Sequence, residues 1–373
     1  MKKVQYEFWL SSIPGIGCRK IKALLERFGA PEDIFRLKRE QLQEISSLRT
    51  KDIETLMASR NTDQIQKDWE ELCKKEIHFT SLPHPDYPDK LKHIPDPPYS
   101  LFYKGSLPAG DTPSVAIVGA RNASHAGLET ARQFGRELAE NGVAVVSGLA
   151  RGVDVTAQNG VLTVAGGRTY GVLGCGIDRC YPENHIESYM LMQENGGVIS
   201  EFCPGMPPYP ANFPMRNRII SGLSDGILVI EAGKKSGSLI TAELGLDQGK
   251  EVFVVPGDIY NPCYIGSNQL IQSGAALVTK TRDILDGLGI FMDEDASVRK
   301  KKCEEDFRKL TEEKALSLLQ ECGVSYLGLE PIHISELVRI SGLSVQRTVN
   351  LLLSMELKGV VRQVENQYYA IVL

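Results

Sequence analysis

The sequence predicts an α/β protein: a parallel sheet covered by helices, a helical segment before it and a small helix-and-hairpin segment after it. Three observations predict this. Short, continuous apolar runs between Val115 and Val278 alternate with amphipathic stretches, the texture of strands buried on both faces by crossover helices. Over the first 75 or so positions, apolar residues recur at helical spacing and no segment alternates with period two. Beyond residue 309, three helical stretches precede two alternating runs that meet at Glu365-Asn366, a hairpin signal. The chain has 373 residues, and one core rarely exceeds about 250–300 residues, so two or three domains are expected.

Residues 1–75 form the first expected domain, with helices at Tyr6–Leu10, Cys18–Phe28, Ile34–Leu37, Gln41–Ile45 and Gln64–Lys75. Between the first two, Ile13-Pro14-Gly15-Ile16-Gly17-Cys18-Arg19-Lys20 has the form of a helix-hairpin-helix turn. Such turns offer glycine amides to a DNA phosphate, which makes Gly15, Gly17, Arg19 and Lys20 candidate secondary contacts. A purely structural turn is the equal alternative.

The second expected domain, 76–290, begins with a proline-rich lead-in at 76–110. Its strands are Val115–Val118, Val143–Val146, Tyr170–Leu173, Val198–Ile199, Ile227–Ile230, Val252–Val255 and Ala276–Val278. Helices are expected between most of them, at Leu128–Asn141, Val153–Ala165, Ile186–Glu194 and Ser238–Gln248. A charged linker, 291–308, leads to a third domain, 309–373. There Lys309–Glu321, Ile334–Ile340 and Val345–Leu357, followed by the hairpin, give the order of a winged helix-turn-helix. Gly342-Leu343-Ser344 would be its turn. Its recognition helix carries little charge, which favours protein contact over groove binding.

Three strands of the middle domain run into small-residue loops that open helices. These are Gly119 to Ser124, Ser147 to Asp154, and Glu231 to Thr241. Strand, loop and helix in that order point helix N-terminal amides over the carboxyl edge of the sheet, where the helix dipole favours anions. The candidate phosphate-binding residues are Gly119, Arg121, Ser147, Gly148, Arg151, Gly152, Ser236, Gly237, Ser238 and Thr241. Phe213-Pro214-Met215-Arg216-Asn217-Arg218 opens a further short helix and adds Arg216, Asn217 and Arg218. Being two apart, Arg216 and Arg218 share no helix face, so one can reach a ligand while the other holds a carboxylate such as Glu201 or Glu231. Phe213 is a candidate for base stacking, with a core role as the alternative.

The charge balance limits how such a site can work. The chain carries a net charge of −5, and residues 111–290 hold 13 Lys and Arg against 18 Asp and Glu. Attraction for an anion must come from a few arginines and backbone amides. No Gly-x-Gly-x-x-Gly follows the first strand, and the second ends in Ser147 instead of an acid, so a dinucleotide is not supported. Gly245 to Lys250 ends a helix and lacks the Ser or Thr of a P-loop. Neither a Gly-x-Ser-x-Gly elbow nor a His-Glu-x-x-His pair is present. Eight scattered cysteines read as reduced cytosolic thiols, and Cys175 with Cys180 lacks the second pair of a zinc site. Neither a secretory signal nor a membrane span is read, so a cytoplasmic binding protein without cofactor or metal is expected.

Ser147 to Asp154, Tyr181-Pro182-Glu183-Asn184, Phe213 to Gly222, Ser236 to Ala242 and Val255-Pro256-Gly257 closely resemble the DNA-processing protein A family (DprA, also called Smf). The match is strongest over about residues 80–290. The resemblance implies an extended Rossmann-like domain, flanked by a helix-hairpin-helix (SAM-like) domain and a winged helix. It implies sequence-independent binding of single-stranded DNA and loading of RecA recombinase during natural transformation. It also implies a homodimer through the Rossmann-like domain, for which Asn268 to Val278 is the candidate surface. Two positions depart from the family pattern, Gln158 where histidine is common and Ala120 where serine is common. The alternative class is a nucleotide-processing Rossmann enzyme of the lysine-decarboxylase-like group, with Glu231 or Glu243 as its acid. The missing Pro-Gly-Gly-x-Gly-Thr loop counts against that alternative.

Overall fold

Helical spacing in the first segment produces α1 (Lys3–Ser12), α2 (Cys18–Phe28), α3 (Pro31–Arg36), α4 (Arg39–Leu42), α5 (Thr50–Ala58) and α6 (Thr62–Lys74). The structure is a computed structural model, and it describes residues 1–110, 112–290 and parts of 332–371. α5 escapes the sequence reading because only Ile53 and Leu56 of its nine residues are buried. The next elements are β1 (His78–Ser81), α7 (Asp89–Lys92), β2 (Ser100–Gly105), β3 (Ser114–Gly119), α8 (His125–Glu140), β4 (Ala144–Ser147), α9 (Val153–Leu162) and β5 (Thr169–Val172). Then come α10 (Ile186–Glu194), β6 (Gly196–Ser200), α11 (Asn212–Gly222), β7 (Gly226–Ile230) and α12 (Gly237–Asp247). β8 (Glu251–Val254), α13 (Ile265–Gln272), β9 (Ala276–Leu277) and α14 (Thr281–Gly287) complete this part.

β1 to β9 form one sheet in the order β1-β2-β6-β5-β4-β3-β7-β8-β9. The seven apolar runs give its parallel part. The proline-rich stretch does more than lead in: β1 and β2 pair antiparallel with each other, and β2 pairs antiparallel with β6. Prolines between and around them hide these strands from a pattern search, but edge positions tolerate a nearby proline.

β3 occupies the middle of the parallel part, fourth of its seven strands. The chain builds outward from it through β4, β5 and β6, then returns to add β7 on its other side. The connections therefore diverge above β3 and β7. In an open α/β sheet this switch point leaves a crevice outside the carboxyl ends of the strands.

Two apolar clusters hold the layers together. One gathers Tyr87, Leu91, Ile94, Val118, Val146, Ile219, Ile220 and Val229. The other joins Phe8, Trp9, Leu24, Ile34 and Leu72 of the N-terminal helices to Phe102, Leu149, Leu173, Met192 and Val198 of the α/β part. The N-terminal helices and the sheet thus share a core, and Met1–Phe291 is one compact unit, with Met292–Leu373 a second.

In the second unit a helix spans Ile334–Ser341. Ile332–His333, Val361–Glu365 and Tyr368–Ile371 form a three-stranded sheet with the last in the middle. The charged linker 291–308, the helix 309–321, the turn 342–344 and much of the expected recognition helix lie outside the described residues. Among the described residues no helix is long and apolar enough to cross a membrane.

Candidate functional site

A cleft of about 690 Å³ opens at the switch point. Its walls are the loop leaving β3 (Gly119 to Asn122), the first turns of α11 and the loop from Gly233 into α12. Pro208, Pro210 and Tyr181 complete the rim. Of the predicted residues, Gly119, Arg121, Phe213, Arg216, Asn217, Ser236, Gly237, Ser238 and Thr241 meet here.

The three loops are not equivalent. Above β4, the groups that looked free are already bonded. Ser147 Oγ donates to Ile117 O at 2.6 Å. Gly148 N donates to Asp154 Oδ2 at 3.1 Å, and Leu149 N to Gln158 Oε1 at 3.2 Å. Gln158, wholly buried, also donates to Tyr170 O at 3.1 Å, so the residue that departs from the family pattern ties α9 to β5. Gly152 has φ +88°, and a Cβ there would overlap the carbonyl oxygens of Ala120 and Arg121. Its role is to let the β3 and β4 loops touch. Replacing Gly152 by alanine is expected to lower stability by more than about 1 kcal/mol, since an L side chain is strained at that φ and has no room. A urea titration of the variant checks this.

Above β3, the helix terminus is also occupied. Ser124, the N-cap of α8, is held by the carboxylate of the buried Glu231. Only the α12 loop leaves its terminus open to the cleft. Ser236 caps Ser238 N through its own Oγ, and Gly237 at the first helical position is exposed.

The arginines divide in the same way. Arg121 is exposed, with its Cζ 5.7 Å from the Phe213 ring centroid. Arg151 is exposed on the β4 loop, outside the cleft lining. Arg216 is 4% exposed; its Nη1 donates to Gly148 O at 2.8 Å and also to Val172 O. Its other face lies 6.0 Å from Phe213. Burial lowers the Arg216 guanidinium to about 10, opposed by the charge of Asp154. Burial likewise raises the Asp154 carboxyl, opposed by Arg216. Arg218 turns away and binds Glu201 through Nη2 at 2.6 Å, Arg218 being buried and Glu201 largely so. Burial raises the Glu201 carboxyl and Arg218 opposes that. Of the pair, then, Arg218 holds the carboxylate and Arg216 braces the site from behind.

Sequence reading passed over Lys234, Lys235 and Tyr181. Both lysines are exposed on the rim, and Lys234-Lys235 inside a strand–loop–helix junction was the available signal. Tyr181 is 45% exposed and lies 5.6 Å from Phe213, so two aromatic rings adjoin at the cleft, one of them beneath the guanidinium of Arg121. The helix-hairpin-helix residues lie elsewhere. Arg19 pairs with Asp96 at 2.7 Å and Lys20 with Asp52 at 2.8 Å. Among the described residues no group of three His, Cys, Asp or Glu is placed to hold a metal ion.

A family model described as DNA recombination-mediator protein A matches residues 78–289. Another, the DprA winged helix domain, matches residues 313–367. Protein Smf of Escherichia coli (strain K12) is 45% identical over 203 residues, 54% of this chain and 54% of that protein. The chain therefore spans about half the length of that relative. Protein Smf of Synechocystis sp. is 35% identical over 295 residues, 78% of this chain and 74% of that protein. Among solved structures, DNA processing protein A from Streptococcus pneumoniae matches with a TM-score of 0.65 at 34% identity, over 77% of this chain and 98% of that one. DNA processing protein A from Helicobacter pylori, whose structure is described for its single-stranded DNA binding mode, matches with a TM-score of 0.51 at 31% identity. That match covers 57% of this chain and 95% of that one.

Proposed function

Because the chain belongs to the DNA recombination-mediator protein A family, we propose that it holds single-stranded DNA, without sequence preference, in the cleft above β3 and β7. The observation that carries this reading is the convergence of exposed Arg121, Lys234 and Lys235 with the open terminus of α12, in a part of the chain that is otherwise acidic. Phosphates bind the cations and the exposed amide of Gly237. Bases stack on Tyr181 and Phe213, which tolerate any sequence. Arg151 and Asn217 extend the path. Gly119, Ser147, Gly148, Gly152, Arg216 and Arg218 shape it from behind. Gly15, Gly17, Arg19 and Lys20 form a weaker second contact, since both cations already face carboxylates.

The relative from Helicobacter pylori supports the choice of ligand. Further along the same reading, the protein is cytoplasmic and passes its strand to RecA recombinase in natural transformation. It pairs with a second copy through α13 and β9, where Ile265 and Leu277 are 37% and 50% exposed. Binding is favoured over nucleotide hydrolysis because Asp154, the acidic residue in the cleft lining, and the buried Glu231 are already bonded to backbone amides.

Titration with oligo-dT and with duplex of equal length, at two salt concentrations, tests the proposal. Tight binding of oligo-dT that weakens steeply with salt is expected, because phosphate contacts release counterions. Equal affinity for duplex, or affinity indifferent to salt, would overturn it.

A further inference from the structure

In doubly wound folds that bind nucleotides, the phosphate sits at the N-terminus of the helix after the first strand. Here that place is the start of α8, and the protein fills it with its own carboxylate. Ser124 N donates to Glu231 Oε1 at 2.9 Å and Oε2 at 3.0 Å. Ser124 Oγ donates to Oε2 at 2.7 Å while accepting from Gly127 N at 3.0 Å. Tyr264 OH approaches Oε2 at 3.4 Å from the far side. Glu231 is wholly buried, and a Cβ on Gly127 would overlap its Oε2, so the carboxylate fits only because residue 127 is glycine. The Glu231 backbone is held at φ +52°, a region that a non-glycine residue enters only under strain. The fold maintains that strain in order to aim the side chain at α8.

The geometry points to Glu231 as a specificity residue: its carboxylate takes the phosphate position at the first strand–helix junction and bars free phosphate and mononucleotides from it. Phosphates of a bound strand are then confined to the α12 side, a division that rests on the reading of the cleft given above. The device selects against small nucleotides, which need that first junction, and leaves a polymer able to bind through several weaker contacts.

Thermal unfolding of the full chain tests this, comparing the parent with Glu231→Ala and Glu231→Gly in inorganic phosphate and in chloride of equal ionic strength. Glycine is unstrained at this φ, so the second variant keeps the backbone compatible with the fold. Phosphate strengthens folding of most proteins slightly, and the parent reports that general effect. Both variants should gain several degrees more than the parent does, because phosphate replaces the lost carboxylate at Ser124. Equal gains in parent and variants, or variants that phosphate does not stabilise, folded or not, would overturn the inference. The cleft reading is judged apart from this, by oligo-dT binding to the parent. Failure there, with phosphate still restoring the variants, removes the reading and upholds Glu231.

Discussion

Replacing Arg121 and Lys235 together by alanine is expected to weaken oligo-dT binding by roughly ten- to a hundredfold and to flatten its salt dependence. Both side chains are exposed at the cleft. Arg121 also lies over Phe213, so its loss removes a cation and exposes one face of an aromatic platform. For a single strand, each neutralised phosphate contributes about 0.7 to the slope of log affinity against log salt, so losing two contacts lowers the slope by about 1.4. Fluorescence anisotropy at three or more salt concentrations reads both quantities. Stability should stay within about 0.5 kcal/mol of the parent, because neither side chain is buried. Near-normal affinity and an unchanged slope in the double variant would place the DNA elsewhere.

The opposite pattern is expected for Arg216→Ala. Its guanidinium bonds the carbonyls of Gly148 and Val172 and lies beside the buried Asp154. Removing one member of a buried charged pair leaves the other without compensation, at a cost of about 3–5 kcal/mol. Two backbone carbonyls lose their donor as well. Urea denaturation should show a midpoint well below that of the parent, with DNA binding lost only as the β4 loop loses its position. Lysine should rescue the variant only in part: an ammonium in place of Nη1 can reach both carbonyls, but it lacks the planar guanidinium that lies against Phe213. A midpoint equal to the parent's would mean that Arg216 is free to serve the ligand directly.

These two arginines mark where the sequence is legible and where it is not. Both sit in glycine-rich or helix-opening segments at the same sheet edge, and both read as phosphate donors. Only tertiary packing separates the exposed one from the buried one. The seven parallel strands were legible because a strand buried on both faces must be apolar throughout, as Val115–Val118 is. β1 and β2 were not, since short antiparallel strands of mixed polarity at one end of the sheet, set between prolines, carry no such constraint. The site's location followed from three strand–loop–helix junctions. Its internal division did not, because no pattern reveals that Glu231 reaches across to Ser124 and closes one of the three. The lysines at 234 and 235 stood in plain view, and only their exposure at the rim distinguishes them from a solvated loop.

The shared core of the N-terminal helices and the sheet has a genetic consequence. Leu149, at φ +54° in the loop that Arg216 braces, belongs to the same apolar cluster as Phe8, Trp9 and Leu72. Substitutions that loosen α1 or α6 therefore reach the cleft through packing. A screen for chains that no longer hold their ligand should return such positions alongside Arg121, although they lie in helices that contribute nothing to the cleft wall. Linker scanning or truncation near residue 75 would strip a face of the sheet, not trim an appendage.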